Sequence, residues 1–174
     1  MVRRLILTCL SLAALAPLFS QQRIQLYTGI GLKYRMVENG VGFNPGLNGS
    51  AFEFGVSRET SSPISISGSV ELGAGGISNY LSLNAGVERS YSLGKGNIEI
   101  TPGIHLIQGL ALFRPNVLYM WGLEEKNFLA YPFDNGSALG IVIGFRLYAF
   151  PGYSGYSAVY RFLDLNLGIR YRFK

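Results

Sequence analysis

The chain has 174 residues, enough for one domain, with 48% hydrophobic and only 14% charged residues, and with 23 Gly, 11 Tyr and 11 Phe. That mix is too apolar for disorder and too rich in glycine and aromatics for a helical bundle. The net charge of +5 comes without a basic run anywhere, which argues against nucleic acid as a partner.

The first predicted element is a signal peptide over residues 1–20. Arg3 and Arg4 form a basic start, Leu5 to Phe19 is a greasy run, and Ser20 before Gln21-Gln22 offers a cleavage point. That run is short for a membrane span, and nothing after it reaches the roughly 18 continuous apolar residues a spanning helix needs. Too few apolar residues precede Cys9 for a lipidation signal. Cleavage removes Cys9 and leaves 21–174 as one domain with no cysteine, so disulfides are not its staple. It also removes Arg3 and Arg4, leaving 13 basic against 10 acidic residues.

From Arg23 onward the sequence has a period of two. Ile24, Leu26, Ile30, Leu32, Tyr34 and Met36 share one parity; Gln25, Tyr27, Gly29, Gly31, Lys33 and Arg35 share the other. Successive strand side chains point to opposite faces, so one face is apolar and the other small or polar. After a link at Asn39–Gly49, Phe52, Phe54 and Val56 alternate with Ala51, Glu53, Gly55 and Ser57. Past the turn Ser61-Ser62-Pro63, Ile64, Ile66, Val70 and Leu72 alternate with Ser65, Ser67, Ser69 and Glu71. Leu81, Leu83, Ala85 and Val87 then face away from Ser82, Asn84, Gly86 and Glu88.

Gly94-Lys95-Gly96-Asn97 is the next turn, followed by Ile98, Ile100, Ile104 and Leu106 against Glu99, Thr101, Gly103 and His105. Between Phe113 and Gly136 the pattern weakens. Val117–Leu123 is the best sixth strand, interrupted by Glu124, Glu125 and Lys126. Leu139, Ile141, Ile143, Phe145 and Leu147 then oppose Gly140, Val142, Gly144, Arg146 and Tyr148. The last strand sets Leu165, Leu167, Ile169, Tyr171 and Phe173 against Asp164, Asn166, Gly168, Arg170 and Arg172. The expectation is eight strands.

The charges discriminate between a soluble sandwich and a membrane barrel. A sandwich turns its polar face to water and carries abundant charge there. Here Glu53, Glu71, Glu88, Glu99, Asp164, Lys33, Arg35, Arg146, Arg170 and Arg172 all lie on the polar parity. The apolar parity carries Arg58, Arg89 and Arg161 at strand ends. A lipid-embedded barrel requires this, because a basic charge on the lipid face near the midplane costs roughly 2–4 kcal/mol and one near the interface costs little. The fold class expected is therefore all-β: a transmembrane, antiparallel, up-and-down barrel of eight strands after a signal peptide. Its interior holds side chains but no aqueous pore. Glu53, Glu71, Glu88 and Glu99 should meet Lys33, Arg35, Arg146 or Arg170 there. Tyr34, Tyr91, Tyr171 and Phe173 suit aromatic girdles.

The chain ends in Asn166-Leu167-Gly168-Ile169-Arg170-Tyr171-Arg172-Phe173, followed by Lys174. This segment resembles the assembly signal that closes outer-membrane barrels, with Asn166, Gly168, Tyr171 and Phe173 at the motif positions and Lys174 as the one departure. Together with the alternation over 21–174, it is similar to the small outer-membrane β-barrel family (porin-like, OmpA/OmpX-type). The resemblance implies integral residence in a Gram-negative outer membrane. It implies contact with membrane lipid and lipopolysaccharide, and recognition by the barrel-assembly machinery. It does not transfer a function.

Some barrels of this kind modify lipid A, so a catalytic centre is the rival to weigh. The resemblance to the deacylase type would need Ser two residues after His; His105 is followed there by Ile107. A Ser from another strand, with Glu88 or Glu99 orienting His105, is the remaining route. No surface-loop His is available for the palmitoyltransferase arrangement. One His and no mature Cys give no metal site, and no cofactor is implied. Gly73-Ala74-Gly75-Gly76 lacks the context of a phosphate loop. Arg114–Trp121 reads as an external loop whose aromatics anchor at the membrane interface. The function expected is non-enzymatic: a structural, adhesive or accessory role at the cell surface. The alternatives are a lipid A-modifying enzyme, a secretion or assembly accessory, and a soluble periplasmic binder of an apolar ligand.

Overall fold

The structure, a computed structural model, describes residues 24–38, 46–60, 64–75, 79–94, 98–113, 116–150 and 160–173. The expected signal peptide lies outside them, as do Lys174 and the turn residues 61–63 and 95–97. Nine strands account for nearly all of the described chain: β1 (Ile24–Glu38), β2 (Gly46–Glu59), β3 (Ile64–Ala74), β4 (Asn79–Arg89), β5 (Tyr91–Leu93), β6 (Ile98–Phe113), β7 (Asn116–Pro132), β8 (Ala138–Phe150) and β9 (Tyr160–Arg172). No helix occurs among the described residues.

β4 and β5 are one stave interrupted at Ser90, because Glu88↔Gly103 and Tyr91↔Ile100 continue a single register against β6. Every stave pairs antiparallel with the next in sequence, and β9 pairs back onto β1. Eight staves close the sheet, so no edge is left with unpaired backbone groups. The register fixes the shape. From Ile24 the cross-strand partners run Arg58, Ile66, Val87, Ile104, Glu125, Phe145 and Leu165, and return to β1 at Tyr34, ten residues further along. That stagger on eight strands gives a tilt of about 40° and a cylinder radius of about 8 Å.

The sixth stave corrects the sequence reading. β7 runs through the charged run that was expected to interrupt it, and it pairs with β6 over 116–130 and with β8 over 121–132. Glu124 and Lys126 point inward and are buried, whereas Glu125 points outward. Three consecutive charges look like a break only until alternation is applied to them. The Arg114–Trp121 segment is likewise no external loop, since residues 116–121 belong to β7 and only 114–115 separate it from β6. The first link is also shorter than expected, because β2 starts at Gly46.

A narrow barrel must ration interior volume, and cross-strand glycines do so. Tyr27 lies opposite Gly55, Tyr80 opposite Gly73, His105 opposite Gly86 and Tyr148 opposite Gly122. In the first three pairs the ring covers the glycine so closely that a Cβ there would collide with it, at 1.9 Å for Gly73 against Tyr80 and 2.3 Å for Gly55 against Tyr27, whereas at Gly122 a Cβ would meet the Leu147 carbonyl at 2.3 Å and the Tyr148 Cβ at 2.7 Å. Gly136, in the hairpin from β7 to β8, is required for another reason. Its φ of +84° is strained for residues with a Cβ, and its N–H donates to the Phe133 carbonyl at 2.8 Å.

Candidate functional site

The barrel inverts the partition of a water-soluble protein. Leu26, Ile30, Phe52, Phe54, Val70, Ile104, Leu123, Ile141 and Ile169 are all exposed on the outer wall, Ile30 at 63%. The buried set contains Lys33, Arg35, Glu53, Glu71, Glu88, Glu124, Lys126, Arg146, Asp164 and Arg170. The inward faces of all eight staves converge on the same narrow lumen, so each of these ionised groups finds a partner of opposite sign.

The lumen holds one connected network and two outlying groups. Arg146 stands at the centre, with two nitrogens on the Glu71 carboxylate at 2.7 and 2.6 Å and one on Glu124 at 2.8 Å. Lys33 and the Tyr80 hydroxyl also donate to Glu71, and Asn166 donates to Glu124. Lys126 bridges onward to Glu53 at 2.8 Å and to Glu124 at 3.4 Å. Arg170 reaches Glu53 at 3.4 Å and Glu88 at 3.3 Å, with its guanidinium 4.2 Å from the Tyr27 ring centre. Toward one end Arg35 binds Asp164 at 3.0 Å, and Tyr148 donates to the same carboxylate at 2.8 Å. Toward the other, Arg172 makes a two-pronged pair with Glu99 at 2.6 and 2.7 Å.

Among the described residues this sets Glu53, Glu71, Glu88, Glu99, Glu124 and Asp164 against Lys33, Arg35, Lys126, Arg146, Arg170 and Arg172, an even balance. The structure thus places Lys33 and Arg146 on Glu71, and Arg170 on Glu53 and Glu88. Arg35 goes instead to Asp164, and Glu99 goes to Arg172. Sequence reasoning missed Glu124 and Lys126. Their signal was present, since both keep the inward parity of Gly122 and Phe128 on β7.

Two apolar clusters pack alongside the charges in the lumen. Ile107, Ala111, Met120, Tyr148 and Phe150 pack together near the β6–β7 junction. Phe128, Ala130, Ala138 and Val142 pack near the β7–β8 hairpin. Cavities between the inward side chains measure about 40, 20 and 10 Å³, room for a few waters at most. Among the described residues, the inward side chains fill most of the interior.

His105 does meet a serine and an acid, and the geometry argues against catalysis by them. Ser67 Oγ lies 2.9 Å and Glu88 Oε1 3.1 Å from the same nitrogen, Nε2, while Nδ1 has no partner among the described residues. A relay needs the serine on one ring nitrogen and the acid on the other, so that the acid orients a base that is free to take the proton. Here one nitrogen serves both. Ser67 is 2% exposed among the packed side chains of the lumen. Among the described residues no group of three or more His, Cys, Asp or Glu is placed to hold a metal.

The four residues of the terminal motif sit on the closing stave. Asn166 and Gly168 face inward, and Gly168 lies against Gly31 of β1, where a Cβ would meet the Gly31 Cα at 3.0 Å. Tyr171 and Phe173 face outward as an edge-to-face pair with ring centres 4.7 Å apart. Tyr34 and Tyr91 also point outward, with Trp121 and Tyr131 on β7.

No protein-family model and no curated protein sequence matches the chain. Solved structures do. The chain is similar in fold to the Neisserial surface protein NspA, with a TM-score of 0.54 and 9% identity over 87% of this chain and 98% of that one. A major outer membrane protein of Thermus thermophilus aligns with a TM-score of 0.47 and 13% identity, over 86% of this chain and 99% of that one. Ail, the attachment invasion locus protein of Yersinia pestis, aligns with a TM-score of 0.45 and 13% identity, over 87% and 98%. The likeness to NspA is one of fold: a closed, eight-stranded antiparallel barrel.

Proposed function

We propose that this chain is an integral barrel of a Gram-negative outer membrane, acting as a rigid, non-enzymatic scaffold whose wall and surface loops serve a structural, adhesive or accessory role. The observation that carries this reading is the inverted partition. An apolar wall is exposed all round, and the ion pairs are locked inside. In water that wall would be a hydrophobic surface far larger than a monomeric soluble protein tolerates. In a bilayer it is the required solvent contact, and closure satisfies the backbone.

Asn166, Gly168, Tyr171 and Phe173 then belong to the stave that the assembly machinery would read before β9 seals against β1. Membrane lipid and lipopolysaccharide would be the wall's neighbours. Cell fractionation tests the location: the chain should sediment with outer membrane and resist alkaline extraction. Recovery in the soluble fraction would overturn the reading. Mass spectrometry of lipid A tests the absence of catalysis. The spectrum should be the same with the gene present, absent, or carrying His105→Ala, and a gene-dependent mass change lost in that variant would overturn it.

A further inference from the structure

Two cations stand close together on the otherwise apolar face of β2–β4. Arg58 on β2 and Arg89 on β4 both take outward positions, Arg58 half-buried and Arg89 exposed. The row that pairs Arg58 with Ile66 continues to Val87, and Arg89 lies beyond Val87 on β4, opposite Ile64. At the barrel's tilt the two-stave step climbs about 6 Å, and the two-residue step down β4 returns about 5 Å. Both arginines therefore leave the wall at one depth, with about 12 Å between their Cα atoms. The Arg89 guanidinium lies 5.0 Å from the ring centre of Tyr91, which is itself exposed. No acidic residue shares the outward parity on these three staves. Glu59 and Glu88, each next to an arginine in sequence, take the inward parity, where Gln25 and His105 bond them.

Above the arginines the same wall is hollowed. Gly68 faces outward, and a Cβ there would meet nothing nearer than the Asn84 carbonyl at 3.8 Å, unlike the inward glycines pressed by rings and backbone. Its cross-strand partner is Ala85, so two small residues sit side by side while Val56, Val70, Val87 and Leu106 project around them. This recess lies about 8–10 Å above the arginines along the barrel axis.

We propose that this face of β2–β4 binds one anionic glycerophospholipid, its phosphodiester held between Arg58 and Arg89 and one acyl chain seated in the Gly68–Ala85 recess. Guanidinium groups donate two-pronged bonds to phosphate oxygens, and these are strong where water is scarce. Two cations with no acid beside them favour a headgroup without an amine, such as phosphatidylglycerol, over phosphatidylcholine. The short links 94–97 and 133–137 lie at this end of the barrel. Short turns mark the periplasmic end of outer-membrane barrels, where the leaflet is phospholipid. A recess one residue pair wide also suits a single chain, in contrast to the many chains of lipid A.

The inference rests on the membrane reading, and the test separates the two. The full chain is reconstituted into vesicles of phosphatidylcholine and phosphatidylglycerol and extracted gently into detergent. Native mass spectrometry then counts the lipid each barrel retains. The expected result is one phosphatidylglycerol per barrel, enriched about tenfold over phosphatidylcholine relative to the vesicles. Arg58→Gln with Arg89→Gln should lower that retention by about tenfold. Gly68→Leu, which keeps both charges and fills the recess, should lower it as well. Both variants face lipid and should insert with the parent's urea resistance. Inorganic phosphate, which has no chain, should leave the bound lipid in place. Equal retention of the two lipids, equal retention of lipid A supplied in their stead, displacement by inorganic phosphate, or indifference to either variant overturns the site alone. The lipid and phosphate arms need only the parent protein. A chain that fails to enter vesicles overturns the membrane reading instead.

Discussion

Arg146 shows what a single residue does inside this wall. It is 1% exposed and satisfies two carboxylates at once, Glu71 and Glu124. Removing one member of such a buried set leaves charges without compensation, which costs about 3–5 kcal/mol. Arg146→Met should lower the stability of the barrel in vesicles by that amount in urea unfolding. A loss below about 1 kcal/mol would mean that water reaches the centre of the lumen. Asn166 has a different weight. It is both a motif position on β9 and a donor to Glu124, so Asn166→Leu removes a bond to a charged carboxylate worth about 1.5–3 kcal/mol. Assembly in cells should then suffer more than stability in vitro, which comparing membrane yield with refolding yield would show.

At the scale of elements, the staves are held by how inward bulk alternates with inward space. Gly122 on β7 lets the β8 backbone come close, since a Cβ there would lie 2.3 Å from the Leu147 carbonyl, and Tyr148 on β8 holds Asp164 beside Arg35. Gly122→Val should push β7 and β8 apart at Leu147 and Tyr148 and cost about 1–3 kcal/mol by overpacking. Altered tyrosine fluorescence together with lowered urea resistance would report it, and an unchanged barrel would show that the β7–β8 wall yields freely. β7 is also the element that local pattern reads worst. Its Glu124-Glu125-Lys126 run has the composition of a loop, yet its parity is that of a strand.

For the whole molecule, the sign of the inside–outside difference decides everything. The outer wall needs hydrocarbon, so Phe54→Arg, 50% exposed near the middle of β2, should destabilise the inserted barrel by about 2–4 kcal/mol. Phe54→Leu should be close to neutral. The filled lumen predicts that planar bilayers containing the protein show no large, stable conductance; a steady open channel would contradict the packing of the two apolar clusters alongside the charges.

The alternation along 24–38, 51–57, 64–72 and 138–148 determined by itself that the chain is a strand-built barrel, and which parity faces in. Side-chain direction in a strand is a local property, so no partner is needed to read it. The identity of the ion pairs was a tertiary matter. Arg35 and Glu99 each had several candidate partners of the right sign, and the ten-residue stagger chose among them by setting which inward positions share a depth. The same stagger set Arg58 and Arg89 at one depth on the wall. Depth in a tilted cylinder depends on the register of every stave around it, and no single segment of sequence contains that.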